Sequence, residues 1–169
     1  IDLPGGTVTN HPVEHHPNNR LNPGAQGAWP LTEGRNGETV DLSKVPPKSV
    51  RAYDLSYVTD MPEGWYAVTN RRSGVGFGLV YPTEVFPCLW YWQSFGGGFG
   101  YPWYGRTYNV GLEPFTSFAN AGLASAIENG TAVHMEPGQR IEATVKAVAF
   151  AGNKGVERIR PDGSVVEKV

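Results

Sequence analysis

The residues of this chain best suited to chemistry lie between Phe86 and Pro114. That stretch holds three of the five tryptophans and four of the eight tyrosines, beside a glycine run, and carries almost no charge until Arg106 and Glu113. Aromatic rings can cover the C–H faces of a pyranose, glycines let backbone approach closely, and a cation with a carboxylate can address hydroxyls. A sugar pocket needs such a set. The same composition also fits an aromatic core strand followed by a disordered glycine loop.

The elements that must position these groups read as strands. Period two over Val85 to Gln93 puts Leu89, Tyr91 and Gln93 on one face and Trp90 and Trp92 on the other, one towards a core and one towards a pocket. Thr107 to Glu113 reads as the next strand, with Glu113 at its end before Pro114. The loop between, Gly96-Gly97-Gly98 to Tyr101-Pro102-Trp103-Tyr104, can fold over a ligand or cover a sheet edge. Upstream, short strands are expected near Val8 and near Trp29 to Leu31. A longer one is expected within Ser49 to Val58, and Trp65 to Asn70 should form a hairpin with Val75 to Tyr81. Phe118 to Asn129 is the one helical segment, stopped by Gly130. Downstream, Thr131 to Met135 and Arg140 to Phe150 read as a hairpin about the turn 136–139. Its second strand should bury Ile141, Ala143, Val145, Ala147 and Ala149. Pro161-Asp162-Gly163 marks a small terminal hairpin or a fraying tail.

Composition narrows the class. The 22 glycines and 14 prolines favour an all-β chain, and 169 residues suit one domain, here 1–150 with a tail or hairpin over 151–169. A net charge of −2 without a dense basic cluster argues against nucleic acid as a partner. No apolar run reaches membrane-spanning length, and no membrane partner is expected. The first residues lack the sections of a secretory signal and an initiator methionine, which suggests a processed or excised chain. A single cysteine, Cys88, excludes an internal disulfide and fits the cytoplasm; its apolar neighbours point to core packing. His11, Glu14, His15 and His16 are suitable metal ligands in type, but no zinc spacing is met, so no metal is expected. Asp54 and Asp60 could contact a ligand, Asp60 more naturally as a turn residue. Arg71 and Arg72 could serve a phosphate or simply form a solvated turn.

Three segments resemble the C-terminal half of the aldose 1-epimerase, or galactose mutarotase-like, families. They are Pro87-Cys88-Leu89-Trp90-Tyr91-Trp92-Gln93, Gly111-Leu112-Glu113-Pro114-Phe115-Thr116 and Met135-Glu136-Pro137-Gly138-Gln139. The Gly-Leu-Glu-Pro element is the most specific, and the likeness spans Ile1 to Phe150. It implies a twisted antiparallel β-sandwich, the later portion of a supersandwich, binding a sugar on a concave sheet with at most one short helix. It also implies mutarotation by general acid and base without a cofactor, with Glu113 matching the catalytic base. Arg106, Gln93, Trp90, Trp92 and Trp103 are the expected substrate contacts. Family members are considerably longer, and their acid histidine sits in an earlier His-Pro motif. His16-Pro17 is similar, but Asn18-Asn19 follows where the family has an aromatic. The resemblance therefore does not itself locate the acid. Three functions follow: a sugar isomerase, a non-catalytic carbohydrate-binding sandwich, or a half-domain completed by its N-terminal half or by a second copy.

Overall fold

The computed structural model describes residues 1–169 except His15 and Ala119. The fold is all-β and antiparallel, with one short helix among the described residues. A five-stranded sheet is formed by β1 (Thr7–Asn10), β2 (Gln26–Ala28), β5 (Ala52–Thr59), β8 (Cys88–Phe95) and β9 (Tyr108–Phe115), in the order β2-β1-β5-β8-β9. Facing it is a three-stranded sheet of β6 (Trp65–Asn70), β7 (Val75–Val80) and β10 (Lys146–Ala151), ordered β10-β7-β6. Two small hairpins complete the molecule, β3 (Leu31–Glu33) with β4 (Thr39–Asp41), and β11 (Val156–Ile159) with β12 (Val165–Glu167).

Side-chain alternation builds a sandwich from these sheets. Val8, Val58, Leu89, Tyr91 and Leu112 of the first sheet meet Tyr66 of the second, with Leu21, Leu42, Met61 and Tyr81 closing the core. Such apolar burial, ~25 cal/mol per Å², is the main stabilising term. Trp65 and Ala67 face the opposite way and are covered by Val156 and Ile159 of the terminal hairpin, which is therefore packed rather than frayed. Asp2 ties this hairpin down, accepting from the Val156 amide at 2.9 Å and pairing with Lys168 at 2.6 Å. No described helix is long and apolar enough to cross a membrane.

Several expectations are met and several corrected. The β6–β7 hairpin forms over the expected residues, and so does the terminal hairpin. The expected strand from Ser49 begins only at Ala52, and the one expected from Val85 begins at Cys88. Trp29-Pro30 is the connection between β2 and β3 rather than a strand. The helix, α1 (Leu123–Glu128), is half the expected length, because Gly122 at φ 87° is its N-cap and breaks the helix there. Ala119, within the expected helix, lies outside the described residues.

The expected 131–150 hairpin is overturned. Its turn exists, with the Gln139 amide donating to the Glu136 carbonyl at 2.9 Å, but residues 131–145 form no strand. β10 pairs with β7 instead, and the buried face is inverted: Val148 and Phe150 pack inward while Ile141, Val145, Ala147 and Ala149 are exposed. Two glycines of β7 make room on this face. A Cβ on Gly76 would sit 2.1 Å from the Phe150 ring, and one on Gly78 would meet the Tyr66 carbonyl oxygen at 2.4 Å and Ile159 at 2.6 Å, so β7 leaves room for Phe150 of β10 and Ile159 of the terminal hairpin.

Candidate functional site

The second sheet packs on one face of β8 and leaves the other open. Cys88, Trp90, Trp92 and Ser94 share the outer face with Tyr53, Leu55 and Tyr57 of β5 and with Gly111, Glu113 and Phe115 of β9. Leu89, Tyr91 and Gln93 point into the core. On the outer face lies an open hollow of about 540 Å³ bordered by Trp90, Trp92, Trp103, Tyr53, His16 and Glu113, with Asn19, Asp54, Tyr101 and Asn120 also contributing. That volume suits a small molecule.

The floor is an interlocked set of rings. Trp90 stacks on Phe115 at 3.8 Å and 10°, and its indole N–H donates to the Ser117 carbonyl at 2.7 Å. Trp92 lies between Trp103 at 4.9 Å and Tyr53 at 6.1 Å. Such contacts fix ring planes and so offer flat apolar faces in set orientations. Tyr57 braces the floor beside Trp90, edge-on at 5.6 Å: its hydroxyl accepts from the Asn120 amide at 2.8 Å and is hydrogen-bonded to His11 Nδ1. Burial pushes that phenol up to about 12, so it remains protonated at ordinary pH.

Glu113 is not at a strand end, as expected, but two residues inside β9, opposite Trp90. The strand continues through Pro114 because β9 is an edge of its sheet, where a missing N–H is tolerated. The carboxylate leans back along the strand: a Cβ on Gly111 would lie 2.7 Å from Glu113 Oε1. Glu113 is exposed to solvent at the hollow and makes no hydrogen bond or ion pair with the described residues.

His16 comes from the loop after β1. Its ring rests on Tyr53 and Phe99, with centroids at 5.5 and 6.3 Å. The Asn18 amide points at Nδ1 at 3.2 Å and the Phe99 amide at Nε2 at 3.4 Å. What holds this loop is Asp54. Its carboxylate accepts from the amides of Arg20 at 2.9 Å and Leu21 at 3.2 Å, from Asn19 Nδ2 at 3.3 Å and from Arg20 Nε at 3.3 Å. Burial raises the Asp54 carboxyl above its ordinary range, a shift that the Arg20 guanidinium and these donors only partly offset.

Not all the expected contacts assemble. Trp90, Trp92, Trp103 and Glu113 share the hollow. Gln93 does not: it is fully buried on the core face, where its Oε1 accepts from Arg20 Nη2 at 2.5 Å. Arg106 also stays out. Its side chain is exposed and pairs with no described residue, so no ion pair ties up Glu113. Asp60 is a turn residue at φ 56°. Cys88 is a core thiol, raised by burial to about 12. Among the described residues no group of three or more histidine, cysteine or acidic side chains is placed to hold a metal, and His15 lies outside them.

Sequence reading missed Asn19 and Asn120, and assigned His16 no role at the site. Nothing local marks the two asparagines, since each reaches the hollow through contacts far away in the chain. A second cleft, of about 550 Å³, runs past Glu63, Trp65, Lys146 and Arg158. Its Glu63 is paired with Arg158, and Lys146 donates to the Pro161 carbonyl at 2.6 Å, so these charges serve the fold. No family model, no curated protein and no solved structure matches the chain. The hollow is therefore read from its own geometry.

Proposed function

We propose that the chain binds a sugar in this hollow and interconverts its anomers, Glu113 acting as base and His16 as acid. One observation carries the reading: a carboxylate and an imidazole, from opposite parts of the sequence, border the same aromatic-floored hollow. Glu113 lies two strands across and four residues along from Tyr53, on which His16 rests. Ideal sheet spacings of ~4.8 Å and ~3.3 Å put those two Cα atoms about 16 Å apart. That span measures the floor between Glu113 and the tyrosine that carries His16, and it has room for a sugar ring.

In the ring-opening step, Glu113 takes the proton of the anomeric hydroxyl while His16 gives a proton to the ring oxygen. The carbon–oxygen ring bond breaks and a carbonyl forms. Rotation beside the carbonyl and reclosure, with the roles reversed, give the other anomer and return both protons. No redox partner is required, and each group only exchanges a proton. Trp92 and Trp103 would cover the apolar face of the sugar, with the side chain of Asn120 addressing hydroxyls.

The likeness of residues 87–93 and 111–116 to the aldose 1-epimerase families supports the same reading. Tyr53 and Phe99 supply, from elsewhere in the chain, the aromatic flank that does not follow His16-Pro17 in sequence. A second reading, a saccharide-binding module without turnover, is favoured by the two backbone amides already facing both ring nitrogens of His16. Anomer exchange followed by NMR separates the two. The isomerase reading expects wild-type exchange above the buffer rate and a large loss in Glu113→Gln with sugar affinity kept. Binding without any exchange would leave the module.

A further inference from the structure

The mouth of the hollow carries three exposed aromatic rings, of which only Phe99, against His16, has a part in the proposed reaction. Phe99, Tyr101 and Tyr104 are 56%, 84% and 58% exposed. Water disfavours such display, and contiguous exposed apolar groups commonly mark a binding surface.

The loop that bears them is not loose. Arg51 Nη1 donates to the carbonyls of Gly96 at 3.2 Å and Gly105 at 3.1 Å, while Asn18 Nδ2 donates to Gly97 at 2.7 Å. Backbone bonds close it from Gly96 to Thr107 and from Gly105 to Gly98, both at 2.7 Å. Its glycines are needed for this fit. A Cβ on Gly97 would lie 2.4 Å from the Ala52 carbonyl carbon, and one on Gly105, at φ 67°, would lie 2.9 Å from the Phe99 ring. Tyr104 itself sits at φ 49°, a left-handed backbone that turns its ring outward, edge-on to Tyr101 at 6.1 Å. The rings are thus displayed on a fixed base.

Tyr101 belongs to both surfaces, lining the hollow while pairing with Tyr104 on the lip. We infer that the lip is a second saccharide subsite continuous with the hollow. The ligand is then a disaccharide or longer chain, its reducing unit in the hollow and the next unit against Tyr101 and Tyr104. This inference rests on the sugar reading of the hollow. The two rings stand at 81°, so one offers its face to the next unit and the other a wall beside it, which supplies affinity there without chemistry.

The test uses the full chain and a panel of reducing disaccharides beside their reducing-end monosaccharides, titrated by tryptophan fluorescence or calorimetry. At least one disaccharide is expected to bind roughly three- to tenfold tighter than its monosaccharide, the scale of one ring contact. Tyr104→Gly keeps the left-handed backbone while removing the ring, and Tyr101→Ser alters a side chain that is mostly in solvent. Tyr104→Gly is expected to bring the ratio to within about twofold and leave the monosaccharide constant unchanged; Tyr101→Ser should also shrink the ratio. Equal binding of both lengths, or a preference that survives Tyr104→Gly, overturns the lip subsite while the hollow stands. Failure of every sugar to bind overturns both.

Discussion

Replacing Asp54 is the perturbation whose consequence the structure defines most fully. The carboxylate is 2% exposed and receives two amides, an asparagine and an arginine, all from residues 19–21. Asp54→Ala strands those donors and leaves Arg20 without its counter-charge. Breaking a buried pair from one side costs ~3–5 kcal/mol, and the lower end applies because Arg20, 21% exposed, can rehydrate. Asp54→Asn keeps an acceptor for the Arg20 and Leu21 amides and buries no charge, so ~1–2 kcal/mol is expected. Arg20→Met with Asp54→Leu removes both partners and should be less destabilising than the two single changes combined. In urea, with a slope of ~2 kcal/mol/M, Asp54→Ala should lower the midpoint by about 1–2 M, read by tryptophan fluorescence. The sign of the pH dependence follows from burial. The folded carboxyl is raised above its ordinary 3.8, so ionising Asp54 opposes folding. That contribution is absent below the unfolded value, grows as pH rises through it and is complete above the folded value. Carboxyl carbon shifts should place the native midpoint above 3.8. A loss below about 1 kcal/mol for Asp54→Ala, or strict additivity of the pair, would refute the tether.

Two further outcomes are expected. Ile159→Ala, at a residue 1% exposed against Trp65 and Gly78, should destabilise by ~2–4 kcal/mol in the same urea assay; a negligible effect would mean the terminal hairpin lies outside the core. Cys88, 2% exposed with its thiol at about 12, should resist thiol reagents at pH 8 in the native protein and react fully in denaturant. Prompt native labelling would contradict its burial.

The elements legible in the sequence were those whose signal is local. Trp65 to Asn70 and Val75 to Val80 alternate, are separated by a turn, and pair as read. The two faces of β8 followed from period two alone, although choosing the pocket face required the second sheet to occupy the other side. β10 was misread because its buried face is set by pairing with β7, about seventy residues earlier, where Gly76 leaves room for Phe150. Gln93 was misplaced for a related reason: a polar residue in an aromatic strand suggested a ligand contact, whereas Arg20 meets it inside the core. Asp54 drew notice as a possible ligand contact; it borders the hollow and also anchors the loop that bears His16. His16 carried only a partial local signal, the His16-Pro17 pair without the aromatic that should follow it. A proline and two asparagines place it in a loop, and only Asp54, Tyr53 and Phe99, from other parts of the chain, bring it to Glu113's side of the molecule.

Both the isomerase reading and the placement of His16 meet in one measurement. Anomer exchange rates are compared by NMR for wild type, Glu113→Gln, His16→Gln and the double variant, with sugar affinity determined in parallel. Groups that transfer protons in the same step act as a unit, so each single change should lose most of the rate, and the double variant little more, at nearly constant affinity. Wild-type exchange unaffected by both substitutions would contradict the assignment of base and acid to this hollow.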